Sequence, residues 1–249
     1  MRDNKAPVAD CPEWVKAECY RIVALVSKGD FDTAYAASRQ IASTPIEKGR
    51  GASPGGRLLL WEARTLPARI LLHRNLPGNA TEALASLPKP EEMREYEGKS
   101  LAFWWIDGLR LALEGKRQIE AKNLNAARDV ASALSQHGAV FSKTQGTATA
   151  IGERSLWTRA FRALEVLASD MRGRMSLVGP KDRVAAAYNW FASAVDRQHS
   201  ATMMFPPSIL TPMSNRLGEY YLTVGKPEEA VESYQRALHF MPNDMNALL

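Results

Sequence analysis

The feature that most constrains the fold is the stretch RLGEYYLTVGKPEEAVESYQRALHFMPND, which begins at Arg216. Apolar residues in its first part recur every three or four positions, which is the spacing of one stripe on an α-helix. These residues are Leu217, Tyr220, Tyr221 and Val224. Gly225 ends this helix, and Pro227 suits the first turn of another, because its missing N–H would have no partner there. The stretch therefore predicts two helices joined by a tight turn.

The second of these helices is predicted to present a face of small residues. Ala230 and Ala237 lie on that face, with Tyr234 between them. The two helices can then approach closely, while the tyrosine ring fills the remaining gap. Pro242 ends the second helix, and the Asn243 that follows offers a cap for another.

This hairpin resembles the tetratricopeptide repeat, whose pattern is a Leu-Gly pair, an aromatic residue, alanine, a second aromatic residue, alanine and a final proline. The matching residues are Leu217, Gly218, Tyr221, Ala230, Tyr234, Ala237 and Pro242. Ser214 stands where many such repeats carry a tryptophan. The resemblance implies a right-handed solenoid of stacked helix pairs.

Four other segments carry weaker versions of the second helix, anchored by Ala34, Ala83, Ala127 and Ala187. Their spacing exceeds the roughly 34 residues of a regular unit, so the repeats are predicted to be degenerate, with inserted loops. The chain is therefore predicted to be all-α, a single solenoid over residues 1–249 of about five antiparallel helix pairs. The best-matched repeat covers 211–244, and degenerate pairs cover about 12–43, 56–87, 99–136 and 152–198.

The pattern also predicts where helices begin and end. First helices of the pairs are expected at about 12–27, 56–75, 99–121, 152–172 and 212–224. Breaks rich in Gly, Pro, Ser or small polar residues are expected at 43–56, 87–92, 137–152 and 199–208. Five tryptophans lie in apolar stripes and are predicted to be buried: Trp61, Trp104, Trp105, Trp157 and Trp190.

Composition offers little support for catalysis or for membrane insertion. The 249 residues are 45% hydrophobic and 24% charged, and no apolar run reaches the roughly 20 residues that span a bilayer. The N-terminal segment lacks the apolar core of a signal peptide, which favours a cytoplasmic location. The histidines are scattered, and Cys11 and Cys19 fit neither a disulfide framework nor a metal pair. We therefore expect a non-enzymatic protein with no cofactor and no metal.

The charge distribution leaves a second possibility open. The net charge is +5, and residues 99–183 hold 14 Lys or Arg against 8 Asp or Glu, a surplus of six. Such a segment could attract acidic peptides, phosphates or RNA. The charges are interspersed, however, and no basic run occurs, which favours ordinary solvated helix faces. Nucleic-acid binding through 99–183 is therefore an alternative to protein binding.

The resemblance also implies a binding face. In tetratricopeptide proteins, the first helices of successive repeats line a concave groove that holds an extended peptide or a partner helix. Asn215, Glu219 and Thr223 lie four residues apart on the face away from the packed stripe, so they are predicted to look into this groove. Lys116 and Glu120 occupy that face in the third repeat. Because an acid at Glu219 would repel a carboxylate, we expect no binding of the C-terminal tails that chaperone-binding members recognise.

Three hypotheses follow. The protein is expected to be a scaffold that binds a peptide or a partner helix, and the alternatives are a polyanion binder or the repeat portion of a larger enzyme or complex. The chain ends in NDMNALL, where a further capping helix is expected. An uncapped end would also permit a homo-oligomer.

Overall fold

A computed structural model describes residues 8–93, 100–144, 154–199 and 206–248. Within these residues only helices, turns and irregular segments occur, and no β-strand is formed. The prediction of an all-α chain is confirmed. None of the described helices is long and apolar enough to cross a lipid bilayer.

The first part of the chain forms short helices. They are α1 (Pro12–Ser27), α2 (Phe31–Ala42), α3 (Pro54–Trp61), α4 (Leu66–Arg74), α5 (Asn79–Ser86) and α6 (Pro90–Met93). The single helix predicted at 56–75 is wrong, because a 3-10 turn over Ala63–Thr65 separates α3 from α4. Pro67 has no N–H to donate to the carbonyl of Ala63, so the α-helical ladder cannot continue through this point.

Seven described helices lie in the second part of the chain. They are α7 (Ser100–Glu120), α8 (Leu124–Thr144), α9 (Arg154–Val178), α10 (Val184–Arg197), α11 (Met213–Thr223), α12 (Pro227–Phe240) and α13 (Met245–Leu248). The break predicted at 137–152 is wrong in its first half, since α8 continues through Gly138. A lone glycine costs a helix only about 1 kcal/mol, which packing against a neighbouring helix offsets.

Of the other predicted breaks, that at 43–56 agrees up to residue 53, whereas that at 87–92 is wrong beyond residue 89, because the short helix α6 begins at Pro90, a residue that suits the first turn of a helix. Residues 43–53 are non-helical, and α3 begins at Pro54 with Ser53 as its cap, whose hydroxyl accepts from the N–H of Gly56 at 3.1 Å. Of the break predicted at 199–208, residues 200–205 lie outside the described part of the chain.

The chain divides into two compact bodies. Of the described residues, the first body holds 8–26, 30–93, 100–107 and 206–207, and the second holds 27–29, 108–144, 154–199 and 208–248. In the first body α4 packs against both α2 and α5. Its core includes Trp61 and Trp105, whose ring centroids lie 5.7 Å apart, and Trp105 donates to the hydroxyl of Thr65 at 3.3 Å.

In the second body, neighbouring helices approach through glycines. A Cβ atom added at Gly173 of α9 would lie 2.3 Å from the ring of Phe191 on α10, and one added at Gly218 of α11 would lie 2.6 Å from the ring of Tyr234 on α12. Each glycine stands five residues before the end of its helix. The close approach predicted for the last hairpin is confirmed and recurs in the pair before it.

Two more glycines bring α7 close to α9. Added Cβ atoms at Gly108 and Gly115 would each lie 2.4 Å from a side chain of α9, that of Leu164 and that of Met171 respectively. Both the glycines and their partners are seven residues apart, so the contacts repeat after about two helical turns. The first helices of two successive pairs therefore pack directly on each other.

Three of the helix pairs share the same three-residue turn. The middle turn residue has a left-handed backbone, with φ of 80° at Gly29, 59° at Lys122 and 76° at Gly225. The N–H of the next residue then bonds to the carbonyl five positions earlier. These bonds are Asp30 to Leu25 at 3.0 Å, Asn123 to Gln118 at 2.8 Å and Lys226 to Tyr221 at 2.8 Å. This pattern is the Schellman motif, and the next helix begins at the following residue.

Candidate functional site

A network of charged side chains lies across α7, α9 and α11, the first helices of three successive pairs. It comprises Lys116, Glu120, Asp170, Arg174, Arg216 and Glu219. At its centre, the two carboxylate oxygens of Asp170 lie 3.1 Å from Nε of Arg174 and 3.2 Å from Nε of Arg216. Arg216 also pairs with Glu219, and Lys116 lies 3.8 Å from Glu120. Asp170 and Arg216 are buried, so this network is mainly internal.

Burial and neighbouring charges act in opposite directions on Asp170. Burial alone would raise the pKa of its carboxyl, but the guanidinium groups of Arg174 and Arg216 outweigh this effect and lower that pKa. For Lys116 the two effects add. Burial, together with the positive charges of Arg174 and Arg216, lowers the pKa of its ammonium to about 8, against the smaller opposing effect of Glu120 and Asp170.

The predicted groove residues have different surroundings. Lys116, Glu120 and Glu219 belong to the charged network. Asn215 does not, since it is 1% exposed and its amide donates to Oδ2 of Asp244 at 2.6 Å. Thr223 is exposed, and its hydroxyl donates to the carbonyl of Glu219 at 2.8 Å.

A ligand could reach only part of this predicted face. The side chains of Glu120 and Glu219 are 34% and 39% exposed to solvent, and Thr223 is exposed. Lys116 and Asn215 have their polar atoms inside the protein. That these five residues bind a partner stays a prediction.

The second body offers a larger concave feature elsewhere. Both α8 and α10 pack on α9, and a groove remains between them. The groove consists of two adjoining clefts of about 340 and 540 Å³. Both are bordered by Arg172 of α9 and Trp190 of α10, and we call them the apolar cleft and the basic cleft.

The apolar cleft is the smaller one. Its apolar wall is formed by Leu134, Ala139, Phe161, Leu164, Ala168 and the ring of Trp190. Glu165 and Arg197 stand at its edge, with Nε of Arg197 3.9 Å from a carboxylate oxygen of Glu165. This cleft could take an apolar side chain of a ligand.

Arginines dominate the basic cleft. Arg128 of α8, Arg172 of α9 and Arg183, just before α10, line it from three directions. Its other polar side chains are Asn125, Ser132 and Ser176. The nearby acids Asp129 and Asp182 do not line this cleft. Its charge and its hydrogen-bond donors are suited to a negatively charged group.

Arg172 and Trp190 form the partition between the two clefts. The guanidinium carbon of Arg172 lies 5.2 Å from the centroid of the indole ring, in a cation–π contact. Arg172 also donates to the hydroxyl of Ser135 at 2.5 Å and to the carbonyl of Ala168 at 3.3 Å. These contacts fix the guanidinium, and partial burial lowers its pKa.

The burial predicted for Trp190 is wrong, because this side chain is 38% exposed. The buried stripe of α10 runs through Ala187, Phe191 and Ala194, and position 190 lies beside it. Trp61 and Trp105 are buried as predicted, whereas Trp104 and Trp157 are only partly buried. Alignment of α10 with α12 on their alanines places Trp190 at the position of the buried Ser233, so the sequence pattern alone did not indicate its exposure.

The first body contains a buried ion pair and a buried thiol, neither of which lines the two clefts of the groove. Arg69 and Glu62 form an ion pair at 2.8 Å, with side-chain exposures of 1% and 2%. Burial, reinforced by the negative charge of Glu62, raises the pKa of the Cys19 thiol to about 12. A thiol with such a pKa stays protonated and is a poor nucleophile. Cys11 and Cys19 are both free, as expected.

No cluster of three or more His, Cys, Asp or Glu side chains with metal-binding geometry occurs in the described parts of the chain. Comparison of the chain with protein-family models, with curated proteins and with solved structures found no match. The groove and the helix pairs are therefore the features that indicate a function.

Proposed function

We propose that this protein is a non-catalytic binding module, a tetratricopeptide-like solenoid that holds a segment of a partner protein in the groove between α8 and α10. The single observation that carries this proposal is the groove itself. It places an exposed tryptophan beside a cleft with apolar walls, on a rigid helical support. Exposed aromatic anchors next to a pocket are typical of protein-binding surfaces.

Three repeated features support the solenoid. The same three-residue turn joins α1 to α2, α7 to α8 and α11 to α12. A glycine five residues before the helix end accommodates a ring of the second helix in two successive pairs. First helices α7 and α9 also pack side by side through glycines. Repetition of local contacts between neighbouring pairs is the defining property of solenoid proteins.

The groove is a better candidate than the face formed by α7, α9 and α11. On that face the charged groups largely satisfy one another, and Lys116, Asn215 and Arg216 are buried. Its role is to hold the first helices together. In the groove, by contrast, Trp190 and Arg128 are open to solvent.

One observation favours a second function, the binding of a polyanion such as RNA. Three arginines line the basic cleft, and arginine is well suited to phosphate groups. This function predicts binding that weakens steeply as salt rises.

The test is a selection of short peptides from a random displayed library on the immobilised protein. We expect wild type to enrich peptides with a common pattern, and Trp190→Ala to lose them, because the substitution removes one wall of both clefts. Trp14→Ala is the matched control. Trp14 is 37% exposed, close to the 38% of Trp190, but it lies on α1 in the first body.

Two results would overturn the proposal. One is the absence of any enriched peptide for wild type in repeated selections. The other is an equal loss of binding in the Trp14 and Trp190 variants, which would place the peptides outside the groove. Salt-sensitive capture of an RNA oligonucleotide, without peptide enrichment, would favour the polyanion function instead.

A further inference from the structure

We propose that the groove selects an acidic peptide segment, with an apolar side chain in the apolar cleft and carboxylates on the arginines of the basic cleft. This inference rests on the proposed function and adds the chemistry of the partner. Three features support it: the charges that line the groove, the fixed position of Arg172 and the length of the groove along α8.

The basic cleft has unbalanced positive charge. Arg128 and Arg183 are exposed, and among the described residues neither side chain forms an ion pair. The guanidinium of Arg172, which lies deeper, is held by a hydroxyl and by backbone carbonyls, and no carboxylate pairs with it in the described structure. A guanidinium binds a carboxylate through two parallel hydrogen bonds. Carboxylates from a ligand would therefore supply the charge that this cleft lacks.

The position of Arg172 is fixed before any ligand arrives. The contact with the indole ring and the hydrogen bond to Ser135 hold its side chain between α8 and α10. A binding group that is already ordered loses little conformational entropy when a ligand binds. Arg172 therefore acts as the central anchor, and Arg128 and Arg183 provide attraction from the two sides.

The adjoining apolar cleft accounts for selection beyond charge. A ligand that lies along the groove from Leu124 to Ala139 covers sixteen residues of α8, a rise of about 22 Å. An extended segment of about seven residues covers the same distance. Such a segment can present a leucine or phenylalanine to the apolar cleft and acidic residues to the basic cleft.

The same features favour a peptide over RNA. Proteins that bind single-stranded nucleic acid use several aromatic side chains, on which successive bases stack. Among the described residues that line the groove, Trp190 and Phe161 are the only aromatic ones, and both border the apolar cleft. Trp190, at the partition, is the one aromatic side chain among the described residues that line the basic cleft, so successive bases would not find a series of stacking platforms beside Arg128 and Arg183.

The experiment uses fluorescently labelled pools of peptides of about seven residues, matching the groove length. Every peptide has leucine or phenylalanine at one fixed position. The variable positions contain Asp or Glu in an acidic pool, Asn or Gln in a neutral pool, and Lys or Arg in a basic pool. Fluorescence anisotropy with the full chain measures binding, and an RNA oligonucleotide of equal length forms a fourth arm.

We expect the acidic pool to bind about tenfold or more tightly than the neutral pool, and the basic pool to bind least, as one or two charge-assisted hydrogen bonds predict. The double variant Arg128→Gln and Arg183→Gln should weaken acidic-pool binding about tenfold. The control variant, Arg39→Gln with Arg236→Gln, removes the same net charge at two exposed sites on α2 and α12 and should bind as wild type does. Circular dichroism checks that both variants keep their helices.

The outcomes separate this inference from the proposed function. Equal binding of the acidic and neutral pools, lost in Trp190→Ala, would overturn the acidic selection while leaving a peptide groove. Equal weakening by the two double variants would overturn it as well, because the attraction would then come from net charge alone. Absence of binding by every peptide pool would overturn both proposals. Tighter binding of RNA than of the acidic pool would overturn the inference in favour of a polyanion site.

Discussion

At the scale of single residues, Gly173 and Gly138 are both interior to long helices but have different neighbours. A Cβ atom at Gly173 would lie 2.3 Å from the ring of Phe191, which is fully buried and has no space to move into. A Cβ atom at Gly138 would lie 3.7 Å from Phe161, an ordinary van der Waals distance. The same substitution should therefore have opposite effects at the two sites.

We expect Gly173→Ala to lower the free energy of unfolding by about 1–2 kcal/mol, because the overpacking outweighs the gain in helix propensity. Gly138→Ala should raise it by about 0.5–1 kcal/mol, since alanine is the better helix former. Urea denaturation followed by circular dichroism measures both. Similar stabilisation of the two variants would show that α9 and α10 are not in close contact at Gly173.

The buried network gives a second prediction at this scale. Asp170→Asn would leave Arg174 and Arg216 without their shared carboxylate, and breaking a buried pair from one side costs about 3–5 kcal/mol. Glu13→Gln removes a surface carboxylate that pairs with Lys16 at 2.9 Å and should cost less than about 1 kcal/mol. Urea denaturation compares the two variants at neutral pH, and equal losses would contradict an internal role for the network.

In the same experiment, low pH should remove the difference in free energy of unfolding between wild type and Asp170→Asn. Its pKa in the folded protein is lowered, so the stabilisation is complete above the unfolded value of about 3.9 and disappears as pH falls through the folded value. Wild type and Asp170→Asn should therefore converge in stability only at strongly acidic pH. Convergence at higher pH would contradict the lowered pKa.

At the scale of elements, the turn that joins the helix pairs leads to a paired prediction. Lys122 adopts the left-handed backbone that glycine provides at Gly225, and a residue with a side chain pays about 1 kcal/mol for it. Lys122→Gly should therefore raise the free energy of unfolding by about 0.5–1 kcal/mol, and Gly225→Ala should lower it by about 1 kcal/mol. Thermal and urea unfolding check both, and two changes of the same sign would contradict a shared turn.

The elements were predictable from the sequence to different degrees. The bounds of α1, α11 and α12 follow from apolar spacing and from glycine or proline at their ends, which are local signals, whereas α7 follows from apolar spacing alone. The break between α3 and α4 has a local cause in Pro67, which the apolar spacing did not reveal, and the continuation of α8 depends on contacts made by other helices. The groove was not predictable, because the exposure of Trp190 and its contact with Arg172 require the relative positions of α9 and α10.

At the scale of the whole molecule, Lys116 should make stability depend on pH in the alkaline range. Its pKa is about 8 in the folded protein, below the unfolded value of about 10.4. Between these values the unfolded chain binds more protons than the folded protein does, so the free energy of unfolding rises with pH. Below pH 8 the ammonium is charged in both states, and the full free-energy cost of burying it lowers the stability of the folded protein.

The variant Lys116→Met isolates that effect. Relative to the variant, wild type should gain about 2 kcal/mol between neutral pH and pH 10, because the buried ammonium loses its proton. Urea titrations of both proteins across this range measure the difference, and the titration of tyrosines largely cancels in the comparison. A constant difference would show that Lys116 keeps its ordinary pKa.

The turn at Lys122 has a consequence for how relationships between proteins are detected. It has the backbone of the glycine turns at Gly29 and Gly225, yet its residue type gives no sign of this. Comparisons that score residue identity lose information at such a position, while the dihedral angles and the hydrogen bond keep it. Turns that differ in sequence in this way keep the same backbone geometry without the glycine. A search on backbone dihedral angles would therefore find a recurrence of the turn that a search on residue identity misses.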